Sequence, residues 1–372
     1  METQRGDVTH SVDENRYVKH FGPQWFAPTM GLGALAIALH LAGEFLRVPA
    51  LLTASQGVTA LTGVVTAVFV LPWLLRFVQY PDAVAADLSH PIRSQFFPTM
   101  PISLLIVGVA LRTTMGGVLP KGLLDAVSLW LFALGSVGVF GFGILLSAIL
   151  FTNTNIGTKH GVFAWYIPPV SHIIIPILGM KLLRSGLDGG LLGDALYITS
   201  LAAMGVGVFM FLFLAPIVLH RYAYEDLPDA KLAPTFLIGV APTSVLIIDA
   251  VHIVHVLESG AAVAIGAAGV VPALKLVVGL LWGFSAWWAL LTVAIVLHYV
   301  THDQHPFAFT WWAYTFPLGA FAIATNATGR LLGLGGLNYL SAAVTGLLLL
   351  VVLTTTTFTG DLVRKGEAFV PE

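Results

Sequence analysis

The sequence predicts an all-α membrane protein with ten transmembrane helices, arranged as five pseudo-repeated helical hairpins around a central pore. Three observations predict it. Apolar residues gather in long runs almost free of charge, the runs have the length of a bilayer crossing, and prolines recur one hairpin apart.

Of 372 residues, 57% are hydrophobic and only 10% are charged, with a mean hydropathy of +0.89. Soluble domains run near ~45–50% apolar and about 25% charged. A soluble fold of this length lacks the polar residues to cover its surface. The net charge of −2 gives no reason to expect a nucleic-acid partner. The chain has no cysteine, which excludes disulfides, thiolate metal sites and thiol nucleophiles. Residues 1–24 read as a polar cytoplasmic segment without the apolar core of a cleaved signal, so the first span is expected to be its own insertion signal. Residues 25–360 form the membrane domain and 361–372 a cytoplasmic tail.

The ten apolar segments are 25–46, 53–80, 98–115, 122–151, 163–183, 191–220, 233–257, 268–300, 307–328 and 337–360. A helix needs about 20 residues to cross about 30 Å of hydrocarbon. Backbone polar groups cannot stay unpaired in lipid, so these runs are helices. The alternation of a membrane β-barrel is missing. The longer even-numbered segments leave room for tilt or extension beyond the bilayer.

Pro28, Pro98, Pro168, Pro242 and Pro317 each fall early in an odd-numbered segment, at intervals of 70, 70, 74 and 75 residues. Aromatics precede most of them: Trp25 and Phe26, Phe96 and Phe97, Trp165 and Tyr166, Trp311 and Phe316. Such a period marks an internal repeat. A proline inside a helix removes a backbone hydrogen bond and bends the chain. Five bent helices around one axis enclose a lumen with a waist. Loop Lys and Arg divide ten to seven in favour of the side that carries both termini, which the positive-inside rule makes cytoplasmic. The expected location is therefore the inner (plasma) membrane, multi-pass, with the lipid bilayer as a partner.

The segments WFAPTMGLG (Trp25–Gly33), LSHPIRSQFF (Leu88–Phe97), WYIPPVS (Trp165–Ser171), APTS (Ala241–Ser244) and WWAYTFPL (Trp311–Leu318) resemble, in order and spacing, the tellurite-resistance/dicarboxylate transporter family. That family includes the plant guard-cell slow anion channels and fungal malate and sulfite transporters. His-Pro-x-Arg (His90–Arg93) and WWAYTFPL are its more specific parts here, and the latter is closest to the plant branch. The long phosphorylated tails of the plant channels are missing. The resemblance implies a homotrimer with one pore per subunit, odd helices lining the pore, even helices outside, and a pore-plugging phenylalanine at the position of Phe316. It also implies small inorganic or organic anions as the transported partners.

Beside the prolines lie the hydroxyls Thr29, Thr99, Ser103, Ser171, Thr243 and Ser244. Two roles are open to each: lining the pore as donors to an anion, or bonding back to its own helix. His172 follows Ser171, and as an intramembrane ionisable group it is a candidate proton or gating residue. Its alternative is a packing role. Asp249, His252 and His255 form a second stripe, read either as a proton relay or as a helix end meeting interfacial water. HYVTHDQH (His298–His305) offers histidines four apart, a possible metal pattern and also an ordinary solvated helix end. Gly135, Gly138, Gly141 and Gly143 read as close-packing positions.

No Arg or Lys sits at the middle of a segment. A tight dicarboxylate carrier would be expected to offer one. Weak, leavable sites suit conduction. The leading expectation is thus an anion-selective channel for chloride, nitrate or a similar ion, gated by Phe316 and needing no cofactor or bound metal. The second is a proton-coupled transporter of C4-dicarboxylates, sulfite or tellurite, and the third a metal-dependent membrane enzyme.

Overall fold

A computed structural model describes residues 16–260, 267–302 and 305–369. The ten long helices within it are α1 (Ala27–Leu46), α2 (Pro49–Gln79), α3 (Thr99–Thr114), α4 (Lys121–Thr152), α5 (Ile167–Arg184), α6 (Gly190–Tyr224), α7 (Ala241–Ser259), α8 (Ala267–His302), α9 (Thr315–Leu332) and α10 (Gly335–Lys365). Most agree with their expected segments to within a few residues, and α7 and α9 begin eight residues after the expected starts at 233 and 307. A short helix, Pro81–Ser89, joins α2 to α3 and was not anticipated. Among the described residues nine helical stretches are long and apolar enough to cross a membrane, so the chain is an all-α membrane protein. α9 has a length like the other odd helices but is more polar, carrying Thr325, Asn326, Thr328 and Arg330.

Every odd helix is entered through a 3-10 turn: Pro23–Phe26, Arg93–Phe96, Phe163–Tyr166, Ala230–Val240 and Phe309–Tyr314. The α-helical parts hold 16 to 20 residues. At 1.5 Å per residue they reach only ~24–30 Å. The 3-10 lead-in, rising about 2 Å per residue, completes the crossing. The even helices hold 31 to 36 residues, too long to stand upright within the hydrocarbon layer alone.

The five repeated prolines serve this junction and not an interior kink. Pro28, Pro168 and Pro242 are the second residues of their helices, Pro317 is the third, and Pro98 immediately precedes α3. The amides just before Pro28, Pro168 and Pro242 donate back into the 3-10 turn, Ala27 to Gln24, Ile167 to Ala164 and Ala241 to Ile238. A proline where the 3-10 turn gives way to α-helix presets φ for the helix. The period therefore marks a change from 3-10 to α-helix.

Burial separates two layers. Between 67% and 100% of the apolar stretch is buried in the first four odd spans, against 17% to 28% in the even ones. The odd helices close a ring, α1 on α3, α3 on α5, α5 on α7, α7 on α9 and α9 back on α1. Outside it, α2 covers α1 and α3, α4 covers α3 and α5, α6 covers α5, α8 covers α7 and α9, and α10 covers α9 and α1. The even helices turn Val64, Val137, Ile144, Phe213, Leu290 and Leu350 outward, where acyl chains solvate them.

Small residues set the helix separations. A side chain at Gly31 would overlap Thr315, and one at Gly143 would overlap the His172 ring. Gly135 and Gly138 receive Leu105 and Pro101, whereas Gly141 faces open space. The two described chain ends meet at one end of the ring, where Phe369 stacks on Trp25 with centroids 4.6 Å apart and lies edge-on to Tyr17. Both ends thus lie on the same side, the one at which the odd helices begin. That end is called lower below, and the end at which they finish is called upper.

Candidate functional site

The ring encloses two cavities in series. The lower one, of about 170 Å³, is bounded by Ala27, Met30, Thr99, Ile102, Ile167, Val170, Ala241, Ala313 and Phe316. The upper one, of about 510 Å³, is bounded by Ala34, Ile37, Ile106, Val109, Ile174, Ile177, Val245, Ile248, Phe316, Ala320 and Ile323. Each inner helix presents one stripe at steps of three and four residues, such as Val170, Ile174, Ile177 and Lys181 on α5. Phe316 borders both cavities and stands where they meet. The first turn of α9 places it there: Pro317 follows it as the third residue of the helix, and Thr315 before it packs against Gly31 of α1.

The lumen is apolar along its middle. Of the six expected pore hydroxyls only Thr99 borders a cavity, and it also donates to the carbonyls of Pro23 (2.7 Å) and Phe96 (2.6 Å). The other five lie in helix contacts. Thr29 and Ser103 bond each other at 2.6 Å, tying α1 to α3. Thr243 and Ser244 both reach Ser285 of α8, at 2.7 and 3.4 Å. Ser171 donates to the Pro168 carbonyl at 2.5 Å. In a low-dielectric interior each hydroxyl needs a partner, and helix neighbours supply one more cheaply than a lumen does.

His172 also points away from the lumen. Its Nδ1 lies 2.8 Å from the Pro168 carbonyl, and its ring sits edge-on to Phe140 of α4, in the space left by Gly143. His298 and His302 stack on each other at 4.4 Å, while His305 contacts the Tyr314 hydroxyl at 3.0 Å and stacks on Trp311. Asp303 lies outside the described residues. Among the described residues no three His, Asp or Glu side chains come together as a metal site.

Charge is confined to the two mouths. At the lower one, Asp87 of the short helix pairs with Arg76 at 2.6 Å and with Arg93 at 3.4 Å, and Arg93 borders the cavity beside Gln24 and Thr310. His90 Nδ1 accepts the amide hydrogens of Ile92 and Arg93, both at 3.1 Å, which aims Arg93. Burial first, then the charges of Arg93 and His160, hold the His90 pKa below its ordinary value.

At the upper mouth Lys181, Lys275, Arg330, His252, His255 and Glu258 border one space. Arg330 pairs with Glu44 at 3.0 Å. Lys181 has neither a hydrogen bond nor an ion pair among the described residues. Counted as a loop residue, Lys181 escaped the sequence reading. Its place on the stripe Val170, Ile174, Ile177, Lys181 is the signal that finds it, and Ala320, Ile323, Ala327, Arg330 repeats the pattern on α9.

The sequence model described as a voltage-dependent anion channel (SLAC1) matches residues 20–360. An uncharacterized transporter of Methanocaldococcus jannaschii is 29% identical over 358 residues, covering 95% of this chain and 96% of that one. A second uncharacterized transporter of the same organism is 30% identical over 354 residues, covering 95% and 98%. A sulfite efflux pump of Trichophyton rubrum is 24% identical over 349 residues, covering 87% and 86%.

Proposed function

The chain belongs to the voltage-dependent anion channel (SLAC1) family of membrane transport proteins, and from that premise we propose that it conducts small anions such as chloride or nitrate through its lumen, with Phe316 as the barrier. The observation that carries the reading is the position of Phe316 on the walls of both cavities. A phenyl ring at a waist of Ile, Val and Ala side chains blocks ions by excluding water, and needs no charge to do so. Lys181, Lys275 and Arg330 at one mouth and Arg93 at the other give the path its anion preference. An apolar waist without a cation holds no anion tightly, which suits rapid passage. Thr99 is the one of the six expected hydroxyls on a cavity wall, where Thr235 and Thr310 join it.

In the same reading α9 is the tenth crossing, both termini are cytoplasmic, the membrane is the inner one, and three copies associate with one pore each. The meeting of the chain ends at the lower side and the ten-to-seven division of Lys and Arg support the orientation. A coupled carrier of a small oxyanion is the second reading. The unpaired Lys181 and the fungal relatives' name as sulfite efflux pumps favour it.

Planar-bilayer recording with ion replacement decides between them. A channel gives a reversal potential that follows the anion gradient and a current that does not saturate at low substrate. Phe316→Ala should raise the resting anion current and Phe316→Leu should raise it less. A reversal potential that follows potassium, or a Phe316→Ala current equal to the wild type, would overturn the conduit reading.

A further inference from the structure

Four buried polar atoms without a partner among the described residues gather along α7. They are both carboxylate oxygens of Asp249, Nδ1 of His252 and Nδ1 of His255. Asp249 has no solvent exposure at all. An ionised carboxylate without a partner is costly in such surroundings, and buried polar groups are normally satisfied. Their order is equally specific. His252 and His255 border the upper cavity, with ring centroids 6.4 Å apart, while Asp249 lies one step deeper and off the cavity wall. At three-residue intervals the steps along the helix are about 4.5 Å each. The three groups lead from the water-accessible mouth into the protein.

We propose that Asp249, His252 and His255 form a proton-binding site that opens on the upper cavity and fills when an anion occupies that cavity. A proton from cavity water adds to a ring nitrogen of His255. By way of cavity water the proton exchanges with His252, which borders the same cavity, one imidazole returning to neutral as the other gains it; Asp249, fully buried below them, holds a proton of its own. The linkage follows from what surrounds the stripe. α7 packs on α5, α8 and α9. From α5, Lys181 and Arg184 act on the histidines. From α8 and α9, Lys275 and Arg330 share the cavity wall, and Glu258 on α7 is the one acidic group on that wall among the described residues. The Ala230–Val240 turn before α7 brings only Lys231, at the lower end. An added proton therefore enters among like charges, and an anion in the cavity relieves that repulsion. Linkage makes the effect reciprocal. This coupling rests on the lumen being an anion path, whereas the proton site itself does not.

The test is proton uptake on anion addition, measured with an indicator dye on the purified full chain in weak buffer at about pH 6.5, where histidine titrates. Sodium chloride should draw protons onto the wild type. H252Q/H255Q should lose this uptake, and Lys231→Gln, at the lower end, should keep it. No uptake by the wild type, equal uptake with sodium gluconate, or unchanged uptake in the double variant would overturn the proposal. Infrared spectroscopy gives a second reading on wild-type protein. A carboxylic-acid band that responds to pH and is missing in Asp249→Asn supports the site, and a band indifferent to either overturns the role of Asp249. Bilayer current, recorded separately, reports on the conduit. Uptake without current would support the proton site while ending the conduit reading.

Discussion

At the scale of single residues, position relative to the lumen decides what a side chain contributes. Phe316 is half-buried and borders open space on both sides. A well-packed Phe loses about 3–5 kcal/mol on truncation to Ala. Phe316→Ala should therefore cost less than this in thermal stability while increasing current, and both are to be measured on one preparation. A large stability loss without added current would mark Phe316 as core. His90 works differently, through the backbone. To accept the amide hydrogens of Ile92 and Arg93, its Nδ1 has to be unprotonated. Its pKa in the folded chain lies below 6.5, through burial first and Arg93 next. A folded value below the unfolded one means that this contribution is complete above about pH 6.5 and is lost as pH falls through the lowered value. Thermal melts of the wild type should weaken on acidification in that window. His90→Asn, which caps a turn without titrating, should flatten the dependence.

At the scale of helices, the proline period reports where α-helix begins and not where it bends. Pro168 occupies the second position of α5, at the change from 3-10 to α-helix and not in the helix interior. Pro168→Ala should therefore change melting temperature little and leave the current unchanged, where an interior kink would alter both. Gly143 carries the opposite expectation. It receives the His172 ring between α4 and α5, so Gly143→Leu has to displace either the ring or the helix. Overpacking of this kind costs about 1–3 kcal/mol, and a lower melting temperature with unchanged ion selectivity is the expected result. Helix boundaries and the five repeats were legible in the sequence because hydropathy and proline placement act locally, whereas the inner and outer layers were implied only by the family resemblance. The facing of the hydroxyls was not. Thr29, Ser103, Thr243 and Ser244 sit at the right depth, but their partners, Ser285 among them, lie on other helices. Nothing local distinguishes a hydroxyl bonded to a neighbour from one that meets the lumen.

At the scale of the whole molecule, closing the ring collects charges that are far apart in the chain. Lys181, Lys275 and Arg330 come from α5, α8 and α9 and meet at one mouth, against a single acidic neighbour on the wall, Glu258. Arg330 is already paired with Glu44. On the proposed conduit reading, Lys181 and Lys275 therefore supply most of the field that concentrates anions above Phe316. Such a field acts by raising local counter-ion concentration. Its reach is the Debye length, about 30 Å at 0.01 M and about 3 Å at 1 M salt. The double variant K181Q/K275Q should thus conduct chloride markedly less well than wild type in dilute salt and nearly as well in concentrated salt. A direct coordinating role for either lysine predicts otherwise, because a bound ion at contact distance is screened little, and the deficit would then persist at every concentration. Conductance ratios taken across that salt range, in the Phe316→Ala background so that the waist does not limit the current, separate the two. A constant ratio would turn the upper mouth from a funnel into a binding site, and with it the molecule from channel toward carrier.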